Sequence, residues 1–250
     1  MNTVIIPAGS SGNFIVPPSV GWLRSWQWGA GASGGAAYSG FPYYYQAVGG
    51  GGGGYIENWK TIVTPGQSIA YQVGLGGATV TIPNNGLIGH ETIFGDLIAY
   101  GGATLKGGNA TDGTHTVEGG DWLARAKGED GSVYDNGDGG KLYSGAGPGD
   151  NNGNFSSPWA WAGGNSKGTG GLPASEYDAD LCSGGGGASK GNGGAAGSNA
   201  NGADGGEGGG GGGCKGAGHS GKGGDGGLII TFEFAFIRRV TWFDFGCGRK

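Results

Sequence analysis

Between residues 183 and 227 glycine is the majority residue, and three stretches place it at every third position: Gly191, Gly194, Gly197; Gly202, Gly205, Gly208, Gly211; and Gly218, Gly221, Gly224, Gly227. That spacing constrains the fold more than any other feature. An α-helix loses about 1 kcal/mol for each interior glycine relative to alanine, so the tract is not helical. A polyproline-II-like helix has three residues per turn and no internal hydrogen bonds. Glycine at every third residue leaves one edge of it bare, so neighbouring helices can approach closely. Their N–H and C=O groups can then pair between helices, as buried backbone requires. Many such bonds, with Cα–H···O contacts, must offset the large entropy glycine loses on folding. The competing reading is a disordered glycine linker, which the strand-like segments on both sides disfavour.

Composition narrows the alternatives. Glycine supplies 68 of 250 residues against an average near 7%. Collagen is excluded because the glycine order is not strict and only 9 residues are proline. The 8 Trp, 10 Tyr and 9 Phe argue for an ordered chain, since disordered chains are poor in aromatics. A formal charge of −5 argues against a nucleic-acid partner, which selects a basic face. No run approaches the ~20 apolar residues of a membrane span, so no membrane insertion is expected. The apolar start Val4–Ile6 is too short for a signal peptide, which places synthesis in a cytoplasm. The three cysteines Cys182, Cys214 and Cys247 cannot all pair within one chain. Cytoplasmic thiols normally stay reduced, leaving a Cys182–Cys214 disulfide as the less favoured alternative.

Strand signals dominate the first hundred residues and return near the end. Asn13–Val16 is stopped by Pro17-Pro18, and Trp22–Trp28 follows. Tyr55–Thr64 and Ser68–Val73 flank Thr64-Pro65-Gly66-Gln67, whose Pro and Gly suit the centre of a type II turn, so the pair reads as a β-hairpin. Thr92–Tyr100 reads as one strand interrupted at Gly95, and 227–234 as the clearest late strand. Sustained 3.6-residue periodicity is absent, so little or no α-helix is expected. The division predicted is one domain over 1–234, with its β framework mostly at 13–100 and 227–234 and a glycine-rich insertion at 101–226. Residues 235–250 form an aromatic-basic extension whose Arg238, Arg239, Trp242, Phe243 and Phe245 are candidates for docking on a partner.

Several segments in order resemble a known family. Phe14-Ile15-Val16-Pro17, Trp28-Gly29-Ala30-Gly31 and Gly53-Gly54-Tyr55 lead into Val63-Thr64-Pro65-Gly66-Gln67 and Val73-Gly74-Leu75-Gly76-Gly77. Thr92-Ile93-Phe94-Gly95-Asp96-Leu97, Gly101-Gly102 and Gly226-Gly227-Leu228-Ile229-Ile230 complete the series. Together they resemble the glycine-rich domain of bacteriophage tail-fibre proteins, and the chain is similar to the polyglycine-II tip adhesins of T-even-like phage long tail fibres. The resemblance implies a jelly-roll-like β-sandwich, closed by N- and C-terminal strands, with an inserted bundle of polyglycine-II helices. It further implies a virion location, partners among other fibre or tail proteins, and a bacterial surface protein or glycan as receptor. Ser25 and Gln27 stand where the family alternates valines, which implies a strand less buried or lying at an interface.

Chemical motifs are near misses. Gly29-Ala30-Gly31-Ala32-Ser33-Gly34 spells G-x-G-x-x-G, but a dinucleotide site needs a helix to start there. Residues 216–222 approach a phosphate-binding loop, yet Gly223 stands where a metal-binding hydroxyl is required. Cys182, Cys214 and His219 lack a fourth zinc ligand. Asp135-Asn136-Gly137-Asp138 reads as a solvated turn rather than a calcium loop. A paired-carboxylate or nucleophile arrangement cannot be assigned, so no enzyme activity, cofactor or metal is expected. The candidate receptor-binding residues are loop aromatics: Tyr38, Phe41, Tyr43, Tyr44, Tyr45, Phe155, Trp159 and Trp161. Rigid rings bury large area at little entropic cost; the opposing reading has them packed over the glycine bundle. Alternatives at the level of function are a structural virion component without receptor binding, an ice-binding protein and a polysaccharide-degrading enzyme.

Overall fold

The computed structural model describes residues 1–37, 48–81, 84–121, 128–149, 151–152, 159–160, 163–173, 184–187, 190–198, 201–215 and 218–234. Among these residues there is no helix. Two six-stranded antiparallel sheets face each other. The first runs β1 (Asn2–Ile6), β17 (Gly227–Phe232), β3 (Trp22–Trp28), β5 (Tyr55–Ile62), β12 (Lys141–Tyr143), β11 (Val133–Asp135). The second runs β10 (Thr116–Val117), β9 (Ala110–Thr111), β8 (Leu97–Ala99), β7 (Thr92–Phe94), β6 (Ser68–Gln72), β2 (Ser11–Ile15). Leu23, Ile56, Leu142, Leu228 and Ile230 from the first sheet pack against Ile69, Phe94, Leu97 and Ala99 from the second, forming a sandwich-like core. The N- and C-terminal strands close the first sheet: β1 and β3 flank β17, with Val4 opposite Ile230 and Ile230 opposite Ser25.

Two strand readings change. The turn at Thr64–Gln67 is present, with Gln67 N–H donating to Thr64 O at 3.0 Å and Gly66 at φ +79°. The strands it joins are not a hairpin, however: β5 lies in one sheet and β6 in the other, so the turn carries the chain around a corner of the sandwich. Pairing partners are set by the core. Conversely, the stretch read as one strand over Thr92–Tyr100 is a tight hairpin, with Phe94 opposite Leu97 and Gly95 at φ +59° in the first central position of the turn.

Ser25 and Gln27 are also not where the alternation implied. β3 is a central strand and both side chains point into the core, at 1% and 0% exposure. Ser25 Oγ and both amide atoms of Gln27 have no hydrogen-bond partner. A β-bulge between them breaks the register with β5. Unpaired buried polar atoms cost about 1–3 kcal/mol each.

Beyond the sandwich, glycine segments pack by a different rule. Gly29, Ala32 and Gly35 donate their N–H groups to Gly54, Gly51 and Val48. Ala30, Ser33 and Ala36 donate to His90, Leu87 and Asn84, while Gly31 and Gly34 donate to Gly224 and Gly221. Three successive residues thus address three different neighbours, and every third residue returns to the same one. A β-ladder, with period two, cannot do this. The same step of three links Gly202, Gly205 and Gly208 to the carbonyls of His219, Lys222 and Asp225. The lattice leaves no room for side chains at its contacts: a Cβ on Gly31 would overlap the Gly209 carbonyl, and one on Gly210 the Gly50 carbonyl.

These environments set three expected stability changes. Gln27→Met keeps the side-chain length and removes the unpaired amide, so denaturant unfolding should show a gain of about 1–3 kcal/mol. Gly210→Ala should cost about 3 kcal/mol or more, because backbone must separate. Gly21→Ala meets nothing within 4 Å and should change stability by no more than about 0.5 kcal/mol.

Candidate functional site

The lattice has two ends. At the sandwich end Gly29, Gly54 and Tyr100 are hydrogen-bonded in series, immediately beyond β3, β5 and β8. At the far end Gly35 N–H bonds Val48 O at 2.7 Å and Ala36 N–H bonds Asn84 O at 2.8 Å. Gly149 N–H bonds Gly184 O at 3.1 Å, and a Cβ on Gly49 would strike that same Gly184 carbonyl. The parallel strands β4 (Ala36–Ala37), β16 (Cys214–Lys215) and β15 (Gly197–Ser198) run side by side out of this end. Residues 38–47 leave after β4 and return at Val48; residues 150–162 leave after Gly149; residues 174–183 return at Gly184. The anchors of these three stretches therefore meet at one end of the lattice, opposite the sandwich.

This placement bears directly on the aromatic candidates. Trp159 lies in β14 (Trp159–Ala160), opposite Asn152 of β13 (Asn151–Asn152). Tyr38, Phe41, Tyr43, Tyr44, Tyr45, Phe155 and Trp161 lie outside the described residues, as do Arg238, Arg239, Trp242, Phe243 and Phe245. What the fold does bring together is the pair of anchor points, from sequence stretches about a hundred residues apart.

A second aromatic group, not singled out from sequence, sits at the junction of sandwich and lattice. Trp28, Tyr55 and Tyr143 are register partners across β3, β5 and β12. Trp28 and Tyr55 meet edge-on at 6.5 Å and Tyr55 stacks on Tyr143 at 5.9 Å. Lys190 Nζ lies 3.5 Å from the Trp28 ring centre and pairs with Glu207 at 3.1 Å. Lys167 covers both tyrosines and is ion-paired with Glu57. These rings lie at the sandwich end of the glycine lattice, next to Gly29 and Gly54. The signal available in sequence was the alternation Trp22, Arg24, Trp26, Trp28 on one face of a strand.

Beside Trp28 a shallow groove of about 380 Å³ is lined by Asp204, Glu207, Lys222, Asp225 and glycine backbone. Its charges are engaged internally. Asp225 accepts from Gly76 N–H at 2.9 Å and from Lys222 Nζ at 2.9 Å, and Asp204 accepts from Lys222 N–H at 2.7 Å. Burial, the largest single influence, pushes the Asp225 carboxyl up, but the Gly76 N–H and Lys222 together outweigh it and hold it low.

The near-miss motifs resolve into framework. Every N–H from Gly29 to Gly34 is bonded to a neighbouring carbonyl, leaving none to bind a pyrophosphate. The N–H groups of Ser220, Gly221 and Lys222 are likewise taken. Asp135 and Asn136 accept from the N–H groups of Gly137 and Asp138 in the turn between β11 and β12. Cys214 is a free thiol buried against Ala36 and Val80, its pKa raised by burial; Cys182 and Cys247 lie outside the described residues. Among the described residues no three His, Cys, Asp or Glu side chains gather to hold a metal ion, and no helix is long and apolar enough to cross a membrane.

A family model described as a glycine-rich domain matches residues 7–233. The chain belongs to this family. The glycine-rich domain thus takes in the sandwich from β2 through β17 and the whole described lattice, with β1 preceding it. No curated protein matches the sequence.

The junction tyrosines of this glycine-rich domain set a pH limit. Burial, then the Glu57 charge, pushes Tyr143 up to about 12, and the same two influences raise Tyr55 further. Unfolded tyrosines ionise near pH ~10. Their contribution to stability is therefore complete below that pH and is lost as pH rises through the folded values. Alkaline unfolding followed by circular dichroism should show stability falling from about pH 10, and the Tyr55→Phe/Tyr143→Phe variant should flatten that fall.

Proposed function

We propose that this glycine-rich domain is a bacteriophage tail-fibre receptor-binding protein, a non-catalytic adhesin carried on the virion. In this reading the lattice is a bundle of polyglycine-II helices inserted in a jelly-roll-like sandwich. The sandwich is held by other fibre or tail components, and the far end meets a bacterial surface protein or glycan. The observation that carries the proposal is the convergence of loop anchors at the end of the lattice away from the sandwich. The stretches anchored there hold Tyr38, Phe41, Tyr43, Tyr44, Tyr45, Phe155, Trp159 and Trp161. A scaffold whose successive residues bond three different neighbours holds loop ends rigidly, which lowers the entropic cost of presenting rings to a partner. The ordered resemblance to phage fibre domains gives the partner class. Release within the assembled virion completes the reading.

Purified protein should adsorb to a phage-sensitive strain and block infection. Tyr43→Ala/Tyr44→Ala and Trp159→Ala/Trp161→Ala should each weaken adsorption by at least about thirty-fold, the loss of a hot spot of about 2 kcal/mol, at unchanged melting temperature. Full adsorption by both variants would overturn the assignment of the site, and failure of the wild type to adsorb to any sensitive strain would overturn the function.

A further inference from the structure

The two open sides of the sandwich are built differently. On one side the edge strands are β11 and β10, three and two residues long. That side is charged and cross-braced: Asp135 pairs with Lys141 at 3.3 Å, His115 stacks on Tyr134 at 4.4 Å, and Ser132 bonds the Glu118 carbonyl at 3.1 Å. Short strands and charges are how proteins prevent unpaired edges from joining other sheets.

Among the described residues the opposite side has none of these protections. Its edges are β1 and β2, each five residues long. No charged side chain occurs from Asn2 to Leu23; the first is Arg24. Neither strand contains proline, and both register without a bulge on their inner neighbours. Ile5 is 72% exposed and Ile15 58% exposed. The two edges lie on the same side, since Phe14 of β2 contacts Phe232 of β17, the neighbour of β1, at 6.2 Å.

We infer that this side is a self-association surface, on which a second copy of the chain docks edge to edge. An extended peptide would satisfy one edge and leave the other. A second sandwich related by a two-fold axis can offer an edge to each, β1 to β1 and β2 to β2. An antiparallel two-fold pair keeps each side chain on its own face only when the paired residue numbers sum to an even value. Centring on Val4 meets this condition and sets Ile5 opposite Thr3 of the other copy. Both are uncharged, so the pair is self-complementary.

Sedimentation of the purified full chain should give a species of twice the chain mass. Ile5→Lys/Ile15→Lys places a charge on each edge at exposed positions, and should shift the mass to that of one chain with circular dichroism and melting unchanged. Ile62→Lys, equally exposed on the central strand β5, should leave the dimer intact. The inference is overturned by a wild type that remains monomeric at all concentrations, by an edge variant that still dimerises, or by equal dissociation with Ile62→Lys. Adsorption plays no part in these readouts, so the result stands apart from the receptor-binding proposal.

Discussion

The structure depends on backbone N–H···O bonds made between segments rather than within them. Each lattice residue gives its N–H to a different neighbour from the residue before it, so each segment is held from three directions. That arrangement requires backbones to lie closer than any Cβ permits at the contact positions, as at Gly31 and Gly210. Individually such bonds contribute only about 1 kcal/mol, and ordering glycine costs more than ordering any other residue. The lattice stands because its N–H groups find carbonyls on neighbouring segments, and because the sandwich fixes the spacing at which its segments begin.

The junction between the two regimes explains the aromatic row. A sheet ends where alternate side chains stop supplying contacts, and the lattice starts where side chains must vanish. Trp28, Tyr55 and Tyr143 occupy the last paired register before glycine takes over. Gly227, opposite Trp28, has no space for a side chain because the indole lies across it. Lys190 and Lys167 close over these rings with their charges paired outward. In the function proposed above the roles divide by position: the sandwich offers its edges, and the far end of the lattice anchors the aromatic stretches.

Part of this was legible in the residues. Trp22–Trp28 announced β3 at its true bounds, and the absence of a 3.6 period agrees with the absence of helix among the described residues. The period of three was readable at Gly202, Gly205 and Gly208, where the bonds follow it step for step. It was not readable at residues 29–36, where Ala30, Ala32 and Ser33 occupy fully buried lattice positions and Ser33 Oγ accepts from Leu87 N–H at 2.8 Å. Strand pairing was the least legible part. The turn chemistry at Pro65-Gly66 is equally good for a hairpin and for a corner between sheets, and only the core distinguishes them. The loop aromatics were visible as composition; that two of their stretches share an end is a property of the bonds among Gly35, Val48, Gly149 and Gly184.

The bonds from Gly31 and Gly34 to Gly224 and Gly221 join the beginning of the lattice to its end in sequence. Residues 29–36 therefore cannot find their third neighbour until nearly the whole chain has been synthesised. Folding rates fall as the mean sequence separation of contacts rises, and these two bonds span 193 and 187 residues. The emerging polypeptide must leave these positions unpaired until residues 221–224 arrive. The glycine segments of the lattice are suited to that wait, since they carry few large apolar side chains to bind wrongly in the meantime.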